Sequence, residues 1–370
     1  MIYLDNAATT RPDEGSVREA MRYIGEDFFN PSAMYKEGFS VHKRMDEARK
    51  NILAHIADPL KFDLVFTSCG SEADNQAVFS CARRGNFVTT EGEHAAIYQA
   101  AAELARRGVE VRFAKLDRYG GADEEDLLRL VDEKTSLVSV IHVNNETGAV
   151  NDIASVAKRV KAKNPRTFFH SDGVQAFGKI PFRMTGEIDF YSVSAHKIGG
   201  VRGAGALVRT KAKNLFPFVF GGGQESGYRS GTENTFAIMQ FEAAARKKFR
   251  TLTEDLDRVK SFNGLFRREL DGKIFAILSA ENASPYILSV SARGLRGEVM
   301  LNDRGVLVGT GSACSSKNRY SRVILACGAD ERTADGVLRI SFSAATTEEE
   351  CREAVSIINA CAGELAERTR

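Results

Sequence analysis

Between about residues 60 and 210, short β-rich runs alternate with helical stretches: DLVFTS (63–68), NFVTT (86–90), SLVSVIH (136–142), TFFHS (167–171) and IDFYSVS (188–194). Parallel neighbours need a long crossover between strands, so this alternation predicts an α/β fold with a mainly parallel sheet covered by helices. Polar residues follow the runs at Ser68 to Glu72, Asn144 to Glu146, Asp172 to Gln175 and Ser194 to Lys197. Ligands of open α/β sheets bind beyond the carboxyl ends of the strands, so these four loops are expected to build one site.

Beyond Gly231 the pattern changes. Apolar residues at Ile238, Phe241, Ala245, Phe249, Leu252, Leu256, Val259, Phe262, Phe266 and Leu270 recur in steps of three and four, which keeps them on one helical face over about 235–270. That length suits one helix bridging two domains, or two helices broken near Thr251. A strand candidate YILSVS (286–291), a Gly-rich loop around Cys314, a second strand LRISFS (338–343) and a terminal helix from about Thr347 then make a smaller α+β unit. A chain of 370 residues exceeds one ordinary core, so a large domain with a smaller companion is expected.

The chain is 43% hydrophobic and 27% charged, as soluble globular proteins are. Its 51 basic and 49 acidic residues leave a net charge of +2, too little for a global field that recruits nucleic acid or an anionic membrane. MIYLDNAATT has no basic stretch leading into an apolar run, and no segment approaches the roughly 18 apolar residues of a membrane span. A cytoplasmic location is expected. The six cysteines, Cys69, Cys81, Cys314, Cys327, Cys351 and Cys361, form no CxxC pair and no metal-ligand spacing, which argues against disulfides and zinc.

Five side chains at strand ends carry candidate chemistry. Lys197 closes the strand of DFYSVSAHKIGG beside small residues, where a partly desolvated amine suits a Schiff base with pyridoxal phosphate; taken alone, a lysine reads as a solvated surface charge. Asp172, with Gln175 three residues on, suits a carboxylate paired with a protonated pyridine nitrogen, or the N-cap of a following helix. In TSCGSEADN, the backbone N–H groups of Gly70 and Ser71 and the Ser71 hydroxyl suit a phosphate cradle at a helix start, or a plain cap. His94 begins a helix, as an acid/base lying on a ring or as a capping histidine. Arg339 is a fixed bidentate partner for a carboxylate, or a surface cation.

Taken together, YLDNAATT, FTSCGSEADN, EHAAI, VNNETGAV, SDGVQAFGK, SVSAHKIGG, YRSGTEN, GTGSACSS and RISFS resemble the cysteine desulfurases of the NifS/IscS type, in that family's order, from residue 3 to 343. The resemblance implies a fold-type-I pyridoxal-phosphate homodimer, with a large domain over 13–250 and a small one over 1–12 and 251–370. It makes Lys197 the Schiff-base lysine, Asp172 the pyridine partner, Gln175 the ring-oxygen donor and His94 the stacking acid/base. Gly70, Ser71, Ser194 and His196 would hold the phosphate, with Thr232 reaching across from the other subunit, and Asn145 and Arg339 would receive the carboxylate of L-cysteine. Cys314 becomes the nucleophile that takes the substrate sulfur and passes it to an acceptor protein, an iron–sulfur scaffold or a tRNA-thiolation enzyme. Its setting in GTGSACSSKN already favours a reactive loop thiol over a buried structural one.

Three positions depart from the family pattern. Tyr35 in NPSAMY stands at the usual histidine, Cys69 replaces a glycine before the phosphate-binding pair, and RISFS replaces a RISFG-like ending. Selenocysteine lyase, ordinary aminotransferase and catalytically idle scaffold are the competing readings, and a mobile thiol at Cys314 is what the last two do not need.

Overall fold

The computed structural model describes residues 1–301, 304–310 and 319–368. Its strands are β1 (Ile2–Tyr3), β2 (Phe62–Thr67), β3 (Asn86–Thr90), β4 (Glu110–Ala114), β5 (Thr135–Ser139), β6 (Phe168–Asp172), β7 (Phe190–Ser194), β8 (Gly205–Thr210), β9 (Phe275–Ile277), β10 (Ile287–Ala292), β11 (Val306–Leu307), β12 (Gly309–Thr310) and β13 (Val337–Ser341). Seven of them form one sheet in the order β2-β8-β7-β6-β5-β3-β4. The five from β7 to β4 are parallel neighbours, as the alternating pattern predicts. β8 runs antiparallel to both β7 and β2, which returns β2 to the direction of the parallel set.

Alternation along the strands explains why both faces are covered. Leu64, Phe66, Val88, Val138, Phe169, Tyr191 and Val193 enter one core, while Val65, Phe87, Leu137, Phe190 and Leu207 enter the other. Successive side chains point to opposite faces, so near-continuous apolar runs bury both, as in a sheet wrapped by helices.

A four-stranded antiparallel sheet, β12-β13-β10-β9, gathers a third core around Leu288, Val290, Leu338, Ile340 and Phe342. Ile2 and Leu4 join this core, β1 pairs with β11, and Asp5 bridges to Ser341. The amphipathic stretch of 235–270 is two helices, Thr235–Arg250 and Leu252–Glu269, meeting at Thr251. The Thr251 hydroxyl bonds back to the Lys247 carbonyl at 3.4 Å, the contact by which Ser and Thr bend helices. Phe241 of the first helix packs on the large sheet, whereas Val259 and Phe262 of the second join the third core with the terminal helix Glu348–Arg368. No helix among the described residues is long and apolar enough to cross a membrane. Cys81, Cys351 and Cys361 are buried free thiols; Cys69 and Cys327 are half-buried ones.

Gly173 sits where β6 turns away from the sheet, and a Cβ there would lie 1.9 Å from the ring of Tyr191. That ring is fully buried and stacks on Phe182 at 4.8 Å, so it has nowhere to retreat. Gly173→Ala is expected to cost about 1–3 kcal/mol through overpacking, read as a lower urea midpoint; an unchanged midpoint would contradict this packing.

Candidate active site

The strand ends converge as their polar loops suggest. β2 leads to the helix Gly70–Cys81, β3 to the helix Ala95–Arg106, β6 ends on Asp172, and β7 runs into a short 3-10 turn, Ala195–Lys197. Gly205 lets the Cys69 backbone pass close over β8, because a Cβ there would meet the Cys69 carbonyl carbon at 2.5 Å. Ten of the twelve candidate residues, Gly70, Ser71, His94, Asn145, Asp172, Gln175, Ser194, His196, Lys197 and Arg339, line one cavity of about 330 Å³. Thr232 is exposed and does not line it. Cys314 lies outside the described residues.

Lys197 is tied to the amino-terminal segment. Its Nζ donates to the carbonyls of Ala7 at 2.7 Å and Ala8 at 2.6 Å. Its neighbour His196 meets the Thr9 hydroxyl at 3.1 Å, and the Thr10 hydroxyl donates to the His196 carbonyl at 2.8 Å. Burial, reinforced by Lys197, pushes His196 down to about 4, so its ring is neutral.

Asp172 is no N-cap of a regular helix. It is the last residue of β6, and its Oδ1 accepts the Val174 N–H at 2.9 Å within a turn. One side-chain ligand atom from each of Asp172, His94 and Asp74 lies within 4.8 Å of the other two. Burial raises the Asp172 carboxyl, and burial together with the Asp172 charge raises Asp74 well above the usual range. His170 stands 3.6 Å from Asp74 but supplies no cation, because burial pushes its ring down to about 3. His94 is a capping histidine that also faces the cavity. It is the N-cap of its helix, its Nδ1 accepting the Ala96 N–H at 3.2 Å, and it lines the cavity, where burial lowers its pKa and keeps it neutral. That bond puts the proton of the neutral ring on Nε2.

Arg339 is buried rather than a surface cation. Its Nη2 donates to Asp5 Oδ1 at 2.8 Å and its Nη1 to the Asn145 carbonyl at 3.0 Å, while Nε is buried without a hydrogen-bond partner among the described residues. Downstream of residues 311–318, Ser321 donates to Glu146, and Arg322 donates to the Glu91 carbonyl and, at 2.6 Å, to that of Glu93. The Arg322 guanidinium also stacks 3.7 Å from the Tyr98 ring centroid.

Sequence reasoning does not single out Asp74, Glu93 or the Ala7 and Ala8 carbonyls. Asp74 lies four residues after Gly70, one turn into the same helix, and that spacing is the signal that would have found it. The backbone carbonyls leave no trace in residue identity.

A family model described as aminotransferase class-V matches residues 2–353. This chain belongs to that family. It is 34% identical to a NifS/IcsS protein homolog of Lactobacillus delbrueckii, with 96% of each chain covered, and 34% identical to a protein of Neisseria meningitidis serogroup C named cysteine desulfurase IscS, covering 99% of this chain and 93% of the relative. Among solved structures, a NifS-like protein superposes with a TM-score of 0.91 at 32% identity, covering 97% of this chain and 98% of the other.

Class-V aminotransferases work with pyridoxal phosphate, and this chain is a pyridoxal-phosphate enzyme. The residues present fit that group. The helix Gly70–Cys81 begins with no side-chain cap at Cys69, leaving its first N–H groups for an anion, and the Ser194 hydroxyl is buried without a partner among the described residues. The same cavity holds the carboxylate of Asp172 and the amine of Lys197. One end of the site therefore suits a phosphate, its floor a cationic ring nitrogen and its wall a carbonyl carbon.

Glu93 is fully buried, its Oε1 accepting from the Thr90 hydroxyl at 2.7 Å and the Ile141 N–H at 2.9 Å, and burial pushes its pKa up to about 8. The native carboxyl thus keeps its proton where the unfolded one, at about 4.5, has lost it. The stability tied to that proton is fully present below about 4.5 and is lost as pH rises towards about 8. Glu93→Gln removes this loss, so the cofactor-free variant should gain on wild type in urea stability between pH 5 and 9. A pH-independent difference would contradict the buried, protonated Glu93.

Proposed function

We propose that this protein is a cysteine desulfurase that converts L-cysteine to L-alanine and keeps the sulfur as a persulfide on Cys314 for transfer to an acceptor. The observation that carries the reading is the convergence of Lys197, Asp172, His94 and Arg339 on one cavity in a chain whose relatives bear that name. A solved structure titled SspA in complex with cysteine, 26% identical with a TM-score of 0.81, adds support.

Pyridoxal phosphate, when bound, supplies the carbonyl that captures the substrate amine and the electron sink that lets its Cα proton leave. The chain's own groups supply the rest. Gly70, Ser71, Ser194 and His196 would hold the phosphate, Asp172 would keep a proton at the ring nitrogen and Gln175 would donate to the ring oxygen. Arg339, steadied by Asp5 and by the Asn145 carbonyl, receives the substrate carboxylate together with Asn145. Lys197 takes the Cα proton, and the neutral ring of His94 moves protons at its Nε2. The Cys314 thiolate then attacks the substrate sulfur: the new S–S bond forms and the Cβ–Sγ bond breaks. The electron pair of the broken bond, with one proton, ends as a C–H bond of the alanine methyl group.

The functional unit on this reading is a cytoplasmic homodimer with a large domain over 13–250 and a small one over 1–12 and 251–370. Phe216, Phe218, Val219 and Phe220 are exposed in the segment leading to Thr232, the surface that a second copy would cover. Thr232 of the partner subunit would then complete the phosphate site. The acceptor is a protein of iron–sulfur assembly or tRNA thiolation.

Cys314→Ala is expected to leave the yellow holoenzyme spectrum intact while release of sulfide and alanine from L-cysteine falls by on the order of 100-fold or more. Full turnover in that variant would point to an aminotransferase, and activity confined to selenocysteine to a lyase. Arg339→Ala removes a charge-assisted bond worth about 1.5–3 kcal/mol, so kcat/KM should fall by roughly 10- to 100-fold, mostly through KM; an unchanged KM would place the carboxylate elsewhere.

A further inference from the structure

Lys179 is buried, 5% exposed, and the site as assigned gives it no task. A lysine so desolvated is costly to keep unless a specific contact repays it. Its Nζ donates to Gln175 Oε1 at 2.8 Å. The other end of that amide, Nε2, donates to the Ala7 carbonyl at 2.8 Å, and this carbonyl also accepts from Lys197 Nζ at 2.7 Å. A carbonyl only accepts, so the NH₂ end of Gln175 lies on the Ala7 side and Lys179 clamps the oxygen end. An NH₂ group has two hydrogens, and the second is left for the cavity that Gln175 lines.

The surroundings of Lys179 are cationic and aromatic. Lys197, Lys248 and Arg339 all bear on it, His196 feels its charge, and Lys248 is itself paired with Asp255 at 3.0 Å. The ring of Tyr286 lies 5.9 Å from Nζ. Burial and the three cations push Lys179 well below the ordinary lysine range. Amine and ammonium both donate N–H, so the clamp on Gln175 survives either state.

We propose that Lys179 is a positioning residue: by fixing the Gln175 amide with its NH₂ end towards the cavity, it presents a hydrogen-bond donor to the ring oxygen of the cofactor. This rests on the reading of the cavity as a pyridoxal-phosphate site. A donor at that oxygen favours its anionic form, so losing the donor makes the oxygen more basic and holds the neighbouring proton more tightly. The yellow band of the holoenzyme then titrates at higher pH.

The test is an absorbance titration of the holoenzyme in wild type, Lys179→Met, Gln175→Leu and the double variant. Lys179→Met is expected to raise the midpoint of the yellow band by about one pH unit, and Gln175→Leu to raise it similarly. The double variant should match Gln175→Leu alone, because Lys179 acts through that amide. Lys179→Arg, which restores a donor, should bring the midpoint back towards wild type. If Lys179→Met does not fold, Lys179→Leu is read in its place. An unmoved midpoint in a folded apolar variant overturns the role of Lys179, and so does a shift that persists undiminished without Gln175, which would mean a direct charge effect. A wild-type protein that stays colourless with added pyridoxal phosphate overturns instead the reading of the cavity on which the proposal rests.

Discussion

One backbone carbonyl holds the site together. The oxygen of Ala7 accepts from Lys197 Nζ and from Gln175 Nε2, and so joins the amino-terminal segment to the turn after β7 and to the turn after β6. Two residues earlier, Asp5 holds Arg339 of β13 at 2.8 Å. The first eight residues, which include the two-residue strand β1, therefore set the positions of the Lys197 amine and of the Arg339 guanidinium, which belong to different sheets. The packing of Ile2 and Leu4 into the third core fixes that stretch in turn.

The electrostatics follow from the same enclosure. Asp74, Glu93 and Asp172 are buried carboxyls in or against the cavity, and burial raises each. His94 and His196, which line the cavity, and His142 and His170 outside it are lowered by the same cause, so the site offers neutral imidazoles rather than imidazolium ions. On the proposed reading a cationic ring nitrogen beside Asp172 would offset the cost of burying its carboxylate. On the proposed reading a neutral His94 would accept a proton at physiological pH without first losing one.

Much of this was legible in the chain because strands such as NFVTT and IDFYSVS are β-branched and aromatic and then stop at small polar residues. The break at Thr251 was legible as one of two options, and a back-bonding hydroxyl decides it. β8 leaves a weak trace: GALVRT mixes Gly, Ala and an Arg, and its antiparallel direction depends on pairing with β2 and β7, which are over a hundred and about ten residues away. For Arg339 the sequence offers a carboxylate partner or a surface cation, and the burial and Asp5 clamp that exclude the second depend on contacts 334 residues apart. The capping bond of His94 occupies only Nδ1, so its two readings do not exclude each other: Nε2 is left for the cavity.

The most direct measurement of the central claim is a single turnover with L-cysteine in the absence of reductant, followed by alkylation and peptide mass analysis of the chain. The account predicts one additional sulfur atom on the peptide containing Cys314 and alanine formed in equal amount. Sulfur on another cysteine, or alanine formed with no sulfur retained on the chain, would contradict it.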